Sequence, residues 1–221
     1  MPYYPAFLDL TGRDALIVGN GPAAAGKIER LLGAGARVTV LTAEPEAELR
    51  ALAGRGRIRL ESRAYRPGDL RGYDLAIVAV DDRTVQSAIA REARAERVLV
   101  NVIDVPELCG FVAPAILDRG DVQIAVGTSG AAPALAARLR DRIGDVCGAE
   151  LAVVADIHRR VRERLRERDW PIERRHRALR GLANSDLAER VKAGDSPGVD
   201  RLLAEHVDPA IDLAALGVAL R

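Results

Sequence analysis

The stretch Ala15-Leu16-Ile17-Val18-Gly19-Asn20-Gly21-Pro22-Ala23-Ala24 decides the fold. Its first four residues are apolar without interruption, which reads as a strand buried on both faces. Gly19 to Pro22 break that run. From Ala23 to Ala34 the apolar residues Ile28, Leu31 and Leu32 recur at helical spacing, and Gly33 and Gly35 mark the helix end. Arg37 to Thr42 then reads as a second strand. A strand, a glycine turn, a helix and a second strand in this order are the opening of a parallel α/β sheet.

The alternation continues outward from this unit. Glu46 to Ala53 reads as helix, Arg57 to Glu61 as a short strand and Leu75 to Val80 as a wholly apolar one. Arg83 to Glu96 reads as helix and Val98 to Asn101 as a fifth strand. Right-handed crossovers turn such a series into a doubly wound, Rossmann-type domain. The pattern changes after about residue 110. Gly110–Ala115 and Val122–Val126 read as strands joined through Asp118-Arg119-Gly120-Asp121, and Ala134–Ile143 reads as helix. From Leu151 onward nearly everything reads as helix, with breaks near Pro171, at Gly194–Pro197 and at Pro209. The expected organisation is a nucleotide-type domain over 1–112, a small linking unit over 113–147 and a helical domain over 148–221.

Composition narrows the function classes. The 221 residues are 48% hydrophobic, which is enough for a substantial core and excludes a disordered chain. A net charge of +1 gives no global attraction to nucleic acid or an anionic membrane, and 3% aromatic residues leave few platforms for stacking bases. No apolar run reaches the length of a membrane span, and Met1–Leu10 lacks the character of a signal peptide. Cys109 and Cys147 stand alone, which fits a reducing compartment, so a cytoplasmic location is expected. Of the 33 basic residues only Lys27 and Lys192 are lysines. Arginine suits carboxylate ligands because its planar fork binds them through two hydrogen bonds.

Gly19-Asn20-Gly21-Pro22-Ala23-Ala24 fits the pattern G-x-G-x-x-G/A directly after a strand. Gly19 allows the tight turn, Gly21 lets backbone approach a pyrophosphate, and Ala24 lets the helix pack close to the strand. Pro22 is tolerated in a first helical turn, because its N–H is not needed there. Free N–H groups at the helix start face the phosphates. The second strand ends at Leu41-Thr42-Ala43-Glu44, where Glu44, slightly late for the acid that holds ribose hydroxyls, reads either as that acid or as the start of the next helix. No arginine lies between Leu41 and Arg50 to meet a 2′-phosphate, so NAD is favoured over NADP. Asp81-Asp82 follows the fourth strand and Asp104 follows the fifth, both at the strand ends where ligands of such sheets bind. Asp81-Asp82 also suits a helix cap and Asp104 a turn before Pro106. No Tyr-x-x-x-Lys pair is present. His158, His176 and His206 have no metal-ligand spacing and read as helix-packing or surface residues, so no metal ligands are assigned.

Taken jointly, the motifs resemble the precorrin-2 dehydrogenase and sirohydrochlorin ferrochelatase family, which makes sirohaem. The resemblance rests on Tyr4–Leu10, the glycine loop with Lys27, Asp81-Asp82, Asn101-Val102-Ile103-Asp104, Phe111–Arg119 and Thr128–Pro133. These occur in the family's order and span residues 4–143. The sequence departs from the family at Asn20, where glycine is common, at Ala132, where serine is common, and at Val105, often an acid.

The resemblance implies a homodimer joined through 113–147. It implies NAD contacts at Pro22, Ala23, Ala43 and Glu44, and Asp104 as catalytic residue. The implied activity is NAD-dependent oxidation of precorrin-2, in sirohaem or cobalamin synthesis, with ferrous iron as a possible second substrate for insertion. Many members are fused to a methyltransferase, so the end at Arg221 reads as the stand-alone form. Residues 157–180 hold ten arginines against four acids, a local charge of +6 that suits a polycarboxylate ligand and equally a solvated helix. Arg174 and Arg175, with Thr128, Ser129 and Gly130, are the expected substrate contacts. Two other readings share the glycine loop. One is a non-catalytic regulatory NAD-binding module of the potassium-transport type. The other is a dehydrogenase for a different substrate.

Overall fold

The computed structural model describes residues 3–168 and 170–220. Asp169, counted above among the acids, lies outside them. The chain divides into two compact units, Met1–Ala113 with Ser129–Ala131, and Pro114–Thr128 with Ala132–Arg221. Residues 113–147 therefore contribute to both: most fall in the second unit, and Ser129–Ala131 in the first.

In the first unit the strands are β1 (Asp14–Gly19), β2 (Arg37–Leu41), β3 (Arg59–Glu61), β4 (Leu75–Ala79) and β5 (Leu99–Val102). All pair in parallel in the order β3-β2-β1-β4-β5. The helices are α1 (Pro22–Gly33), α2 (Ala47–Gly54) and α3 (Arg83–Glu96). The pleat sends alternate strand residues to opposite faces. Ala15, Ile17, Val38, Val40 and Ile77 meet Ala24, Ile28 and Leu31 of α1. Leu16, Val18, Ala76, Val78 and Val100 meet Ile89 and Ala93 of α3. Both faces are thus covered, which is why Ala15–Val18 of β1 and Leu75–Ala79 of β4 are apolar without a break.

The second unit opens with the antiparallel hairpin β6 (Ala115–Arg119) and β7 (Val122–Val126). It continues with α4 (Pro133–Val146), α5 (Glu150–Arg166), α6 (Ile172–Ala183), α7 (Leu187–Ala193), α8 (Ser196–His206) and α9 (Leu213–Leu216). Ile157, Val161 and Leu165 form a one-sided stripe on α5 and pack with Leu182, Leu187, Val191 and Leu203. Among the described residues no helix is long and apolar enough to cross a membrane.

One expected strand is displaced. Gly110–Ala115 does not form a strand; β6 begins at Ala115, after Pro114, which has no N–H for a ladder. The amides of Gly110 and Phe111 donate instead to the Val100 carbonyl, at 2.7 and 3.2 Å. The connection expected over Asp118–Asp121 also shrinks. Asp118 and Arg119 belong to β6, and the turn is made by Gly120 and Asp121, with Gly120 at φ +68° and its amide on Asp118 Oδ1 at 2.9 Å. Glycine takes this backbone region freely, so the two strands can lengthen toward it.

The segment between β3 and β4 is tied down by Glu92 of α3. Its carboxylate accepts from the Gly68 and Leu70 amides, each at 2.9 Å, and from the Tyr65 hydroxyl. Burial pushes the Glu92 carboxyl up, but these three donors outweigh it and hold it below its usual range. A depressed carboxyl adds stability above its unfolded pKa and loses it as pH falls through the folded value. Glu92→Gln is expected to cost about 1–2 kcal/mol at neutral pH. Urea unfolding of the variant should show a smaller loss of stability on acidification than the parent chain shows.

Candidate active site

In a parallel sheet every strand presents its carboxyl end to the same edge. Here the ends of β1, β2, β4 and β5 carry Gly19, Leu41, Ala79 and Val102. The strand order reverses about β1, so the crevice beyond β1 and β4 is where a ligand of this fold is held.

Gly19 is fixed by contact. A Cβ there would lie 2.0 Å from the Ala79 carbonyl oxygen, and the residue has φ +114°. Gly21 has φ +84° and ψ 177°, a region that only glycine enters without strain. A Cβ at Gly21 would meet no protein atom within 4 Å, so the space beside it is open to a ligand. Pro22 opens α1, and Ala25 donates back to the Gly21 carbonyl at 3.0 Å. The first turn has neither a side-chain cap nor an acid. Its amides and the positive end of α1 are left for an anion. Ala24 is fully buried against the sheet, while Ala23 is exposed.

Sequence reasoning missed Asn20. Its Nδ2 donates to the Glu44 carbonyl at 2.8 Å and ties the glycine loop to the segment after β2. An amide between two glycines is the signal that could have found it. Ala43 and Glu44 are exposed at that rim.

The two acids after β4 differ. Asp82 caps α3, accepting from the Thr84 and Val85 amides at 2.8 and 3.2 Å. Asp81 is exposed at the strand end and does not cap.

Asp104 lies just past β5 in a tight turn, with the Val105 amide donating to the Val102 carbonyl at 3.2 Å. It is exposed and has φ +60°. That conformation costs an ordinary residue about 1 kcal/mol, and aspartate is among those that bear it best. The turn is braced from below by Cys109, a second residue sequence reasoning did not single out. The thiol lies 3.3 Å from both the Val102 and Val105 carbonyls and accepts from the Val102 amide at 3.2 Å. Burial pushes the thiol up, which keeps it protonated and able to donate. Neighbouring Asn101 is buried and donates to the Phe111 carbonyl at 3.0 Å.

The remaining expected contacts occupy other places. Thr128 accepts from the Ala132 amide at 3.2 Å, and Ser129 and Gly130 both have positive φ, +54° and +81°. Arg174 stacks on Trp170, 3.6 Å from the ring centroid, whereas Arg175 lines a cavity between α5 and α6. Among the described residues no cluster of three or more His, Cys, Asp and Glu is placed to hold a metal ion. A larger cavity, about 680 Å³, lies among Asp14, Arg37, Arg57 and Tyr73, beyond the amino ends of the strands and so on the edge opposite the glycine loop.

Two family models match the chain. One, described as "Putative NAD(P)-binding", covers residues 6–115, and the other, "Sirohaem biosynthesis protein central", covers 119–145. The chain is 44% identical over 218 residues to a siroheme synthase of Methylococcus capsulatus, covering 95% of this chain and 44% of that protein. It is 36% identical over 217 residues to a siroheme synthase of Pseudomonas aeruginosa, covering 98% of this chain and 47% of that protein. The chain thus spans less than half the length of these relatives. A solved structure described as "SirC, precorrin-2 dehydrogenase" shares the fold, with a TM-score of 0.72, 24% identity and coverage of 85% of this chain and 92% of that one.

A charge placed at the exposed Ala23 separates binding from folding. Ala23→Asp puts an acid in the first turn of α1, which leaves stability unchanged or raises it by about 0.3–1 kcal/mol. The same charge faces the place assigned to the pyrophosphate, so dinucleotide affinity by calorimetry should fall more than tenfold. Unaltered affinity would move the phosphates away from this loop.

Proposed function

We propose that the chain belongs to the sirohaem synthase family and oxidises precorrin-2 to sirohydrochlorin with NAD as hydride acceptor. The observation that carries this reading is the placement of Asp104. An exposed carboxylate in a left-handed turn stands on the same sheet edge as the glycine loop. The relatives support the substrate class, and nothing at the site favours the potassium-transport alternative.

Bound NAD would supply the acceptor for a hydride leaving a macrocycle carbon. The residues of this chain do the rest. Gly19, Gly21 and the amides of Ala23 and Ala24 hold the pyrophosphate, and Ala43, Glu44 and Asp81 border the dinucleotide. Oxidation also releases a proton from a pyrrole nitrogen, and the Asp104 carboxylate accepts it. Ser129 and Gly130, in the same unit as Asp104, would meet carboxylates of the macrocycle. Ferrous iron, as a second substrate, displaces two pyrrole protons on insertion, and Asp104 is positioned to receive them as well.

Asp104→Asn keeps the shape of the turn but cannot accept the proton. NADH formation from precorrin-2 and NAD should fall by about 10²-fold or more while NAD affinity is unchanged. Iron insertion should fall in parallel. Near-normal NADH formation by Asp104→Asn would leave Asp104 as a turn residue and make Asp81 the next base to test.

We also propose that two copies associate through the second unit. Leu135, Leu139 and Val146 lie on one face of α4 and are 50%, 37% and 79% exposed. Such a row of large apolar side chains marks an interface. Leu135→Asp with Leu139→Asp is expected to convert a dimer to a monomer at micromolar concentration by light scattering. A parent chain that is itself monomeric would refute the interface.

A further inference from the structure

We propose that the cavity between α5 and α6 is a carboxylate-binding site, taking an acid carried on an apolar stem. The acid is either a side chain of the tetrapyrrole, in which case the site rests on the reading above, or a small free molecule. The cavity measures about 310 Å³, at the low end for ligand pockets. That volume admits a side chain or a small acid and excludes a macrocycle.

Its lining is basic and apolar, with no acid. Arg162 and Arg166 of α5 and Arg175 and His176 of α6 carry the polar groups. Leu165, Ile172 and Leu179 supply the apolar wall, and Leu165 is 1% exposed. Most arginines nearby are already satisfied: Arg159 and Arg160 pair with Asp156, Arg164 with Glu167, and Arg168 with Asp208. Among the described residues Arg162, Arg166 and Arg175 have no carboxylate partner. The Nε of Arg175 is buried without any hydrogen-bond partner.

Arg162 and Arg166 are exposed at the rim, so the cost when nothing is bound falls on the orphaned Nε of Arg175. A buried donor left unpaired loses about 1–3 kcal/mol. A carboxylate removes that penalty, because a guanidinium meets it through two parallel hydrogen bonds. The apolar wall gains only if the acid has a hydrocarbon stem, which selects against hydrated inorganic phosphate. The surplus of positive charge in 157–180 draws the acid in.

The test uses the full chain with two probes. Uroporphyrin, a macrocyclic polycarboxylate, is followed by its fluorescence, and 3-phenylpropionate by the NMR shifts of the His176 ring. Both should bind the parent chain. Arg175→Gln should weaken 3-phenylpropionate about ten- to a hundredfold, Arg175→Lys should weaken it less, and NAD affinity and thermal midpoint should not move. If uroporphyrin weakens in step, the acid belongs to the macrocycle. If only 3-phenylpropionate responds, the site serves a small free acid. The proposal is overturned if Arg166→Gln with Arg175→Gln binds both probes like the parent. It is equally overturned if uncharged 3-phenylpropanol binds as tightly as the acid. Failure of the parent chain to oxidise precorrin-2 would refute the enzymatic reading and leave the probe measurements standing.

Discussion

The backbone of Gly19 runs so close to the carbonyl of Ala79 that no Cβ fits between them. Much of the first unit depends on that approach. It lets β1 and β4 stay paired to their last residues while the chain turns away into α1. Ala24, fully buried, repeats the constraint one turn later by bringing α1 down onto the sheet. Any larger residue at either place would lift the helix and with it the amides that face the crevice.

A second constraint acts at the neighbouring strand end. Asp104 takes a backbone conformation that few residues other than glycine accept, and the Cys109 thiol lies within reach of the carbonyls on both sides of the turn, with one hydrogen to donate to either. The turn holds the backbone of Asp104, and its exposed carboxylate has no partner among the described residues. Energy spent on local strain is returned by the buried sheet beneath, where Val100 and Val102 are almost wholly enclosed.

The parallel sheet was legible because β1 and β4 carry uninterrupted apolar runs, and only burial on both faces demands that. The glycine loop was legible because its residues are restricted by backbone geometry, which spacing alone conveys. Asp82 and Asp104 were not separable in the sequence. Each is an aspartate after a strand, and only the amides of Thr84 and Val85 show which one is occupied with capping. The first strand of the hairpin was misplaced by several residues because Gly110 and Phe111 spend their amides on Val100, a pairing that no local pattern announces, whereas the second stands at Val122–Val126 as expected. Asn20 and Cys109 escaped for the same reason: their roles come from partners distant in sequence.

The central claim is that this edge of the sheet transfers a hydride from a reduced tetrapyrrole to NAD. The most direct measurement is an anaerobic incubation of the chain with precorrin-2 and NAD, with NADH and sirohydrochlorin followed together. Equimolar formation of both, dependent on protein concentration, is the predicted result. NAD bound at the glycine loop, with precorrin-2 present and neither product formed, would contradict it.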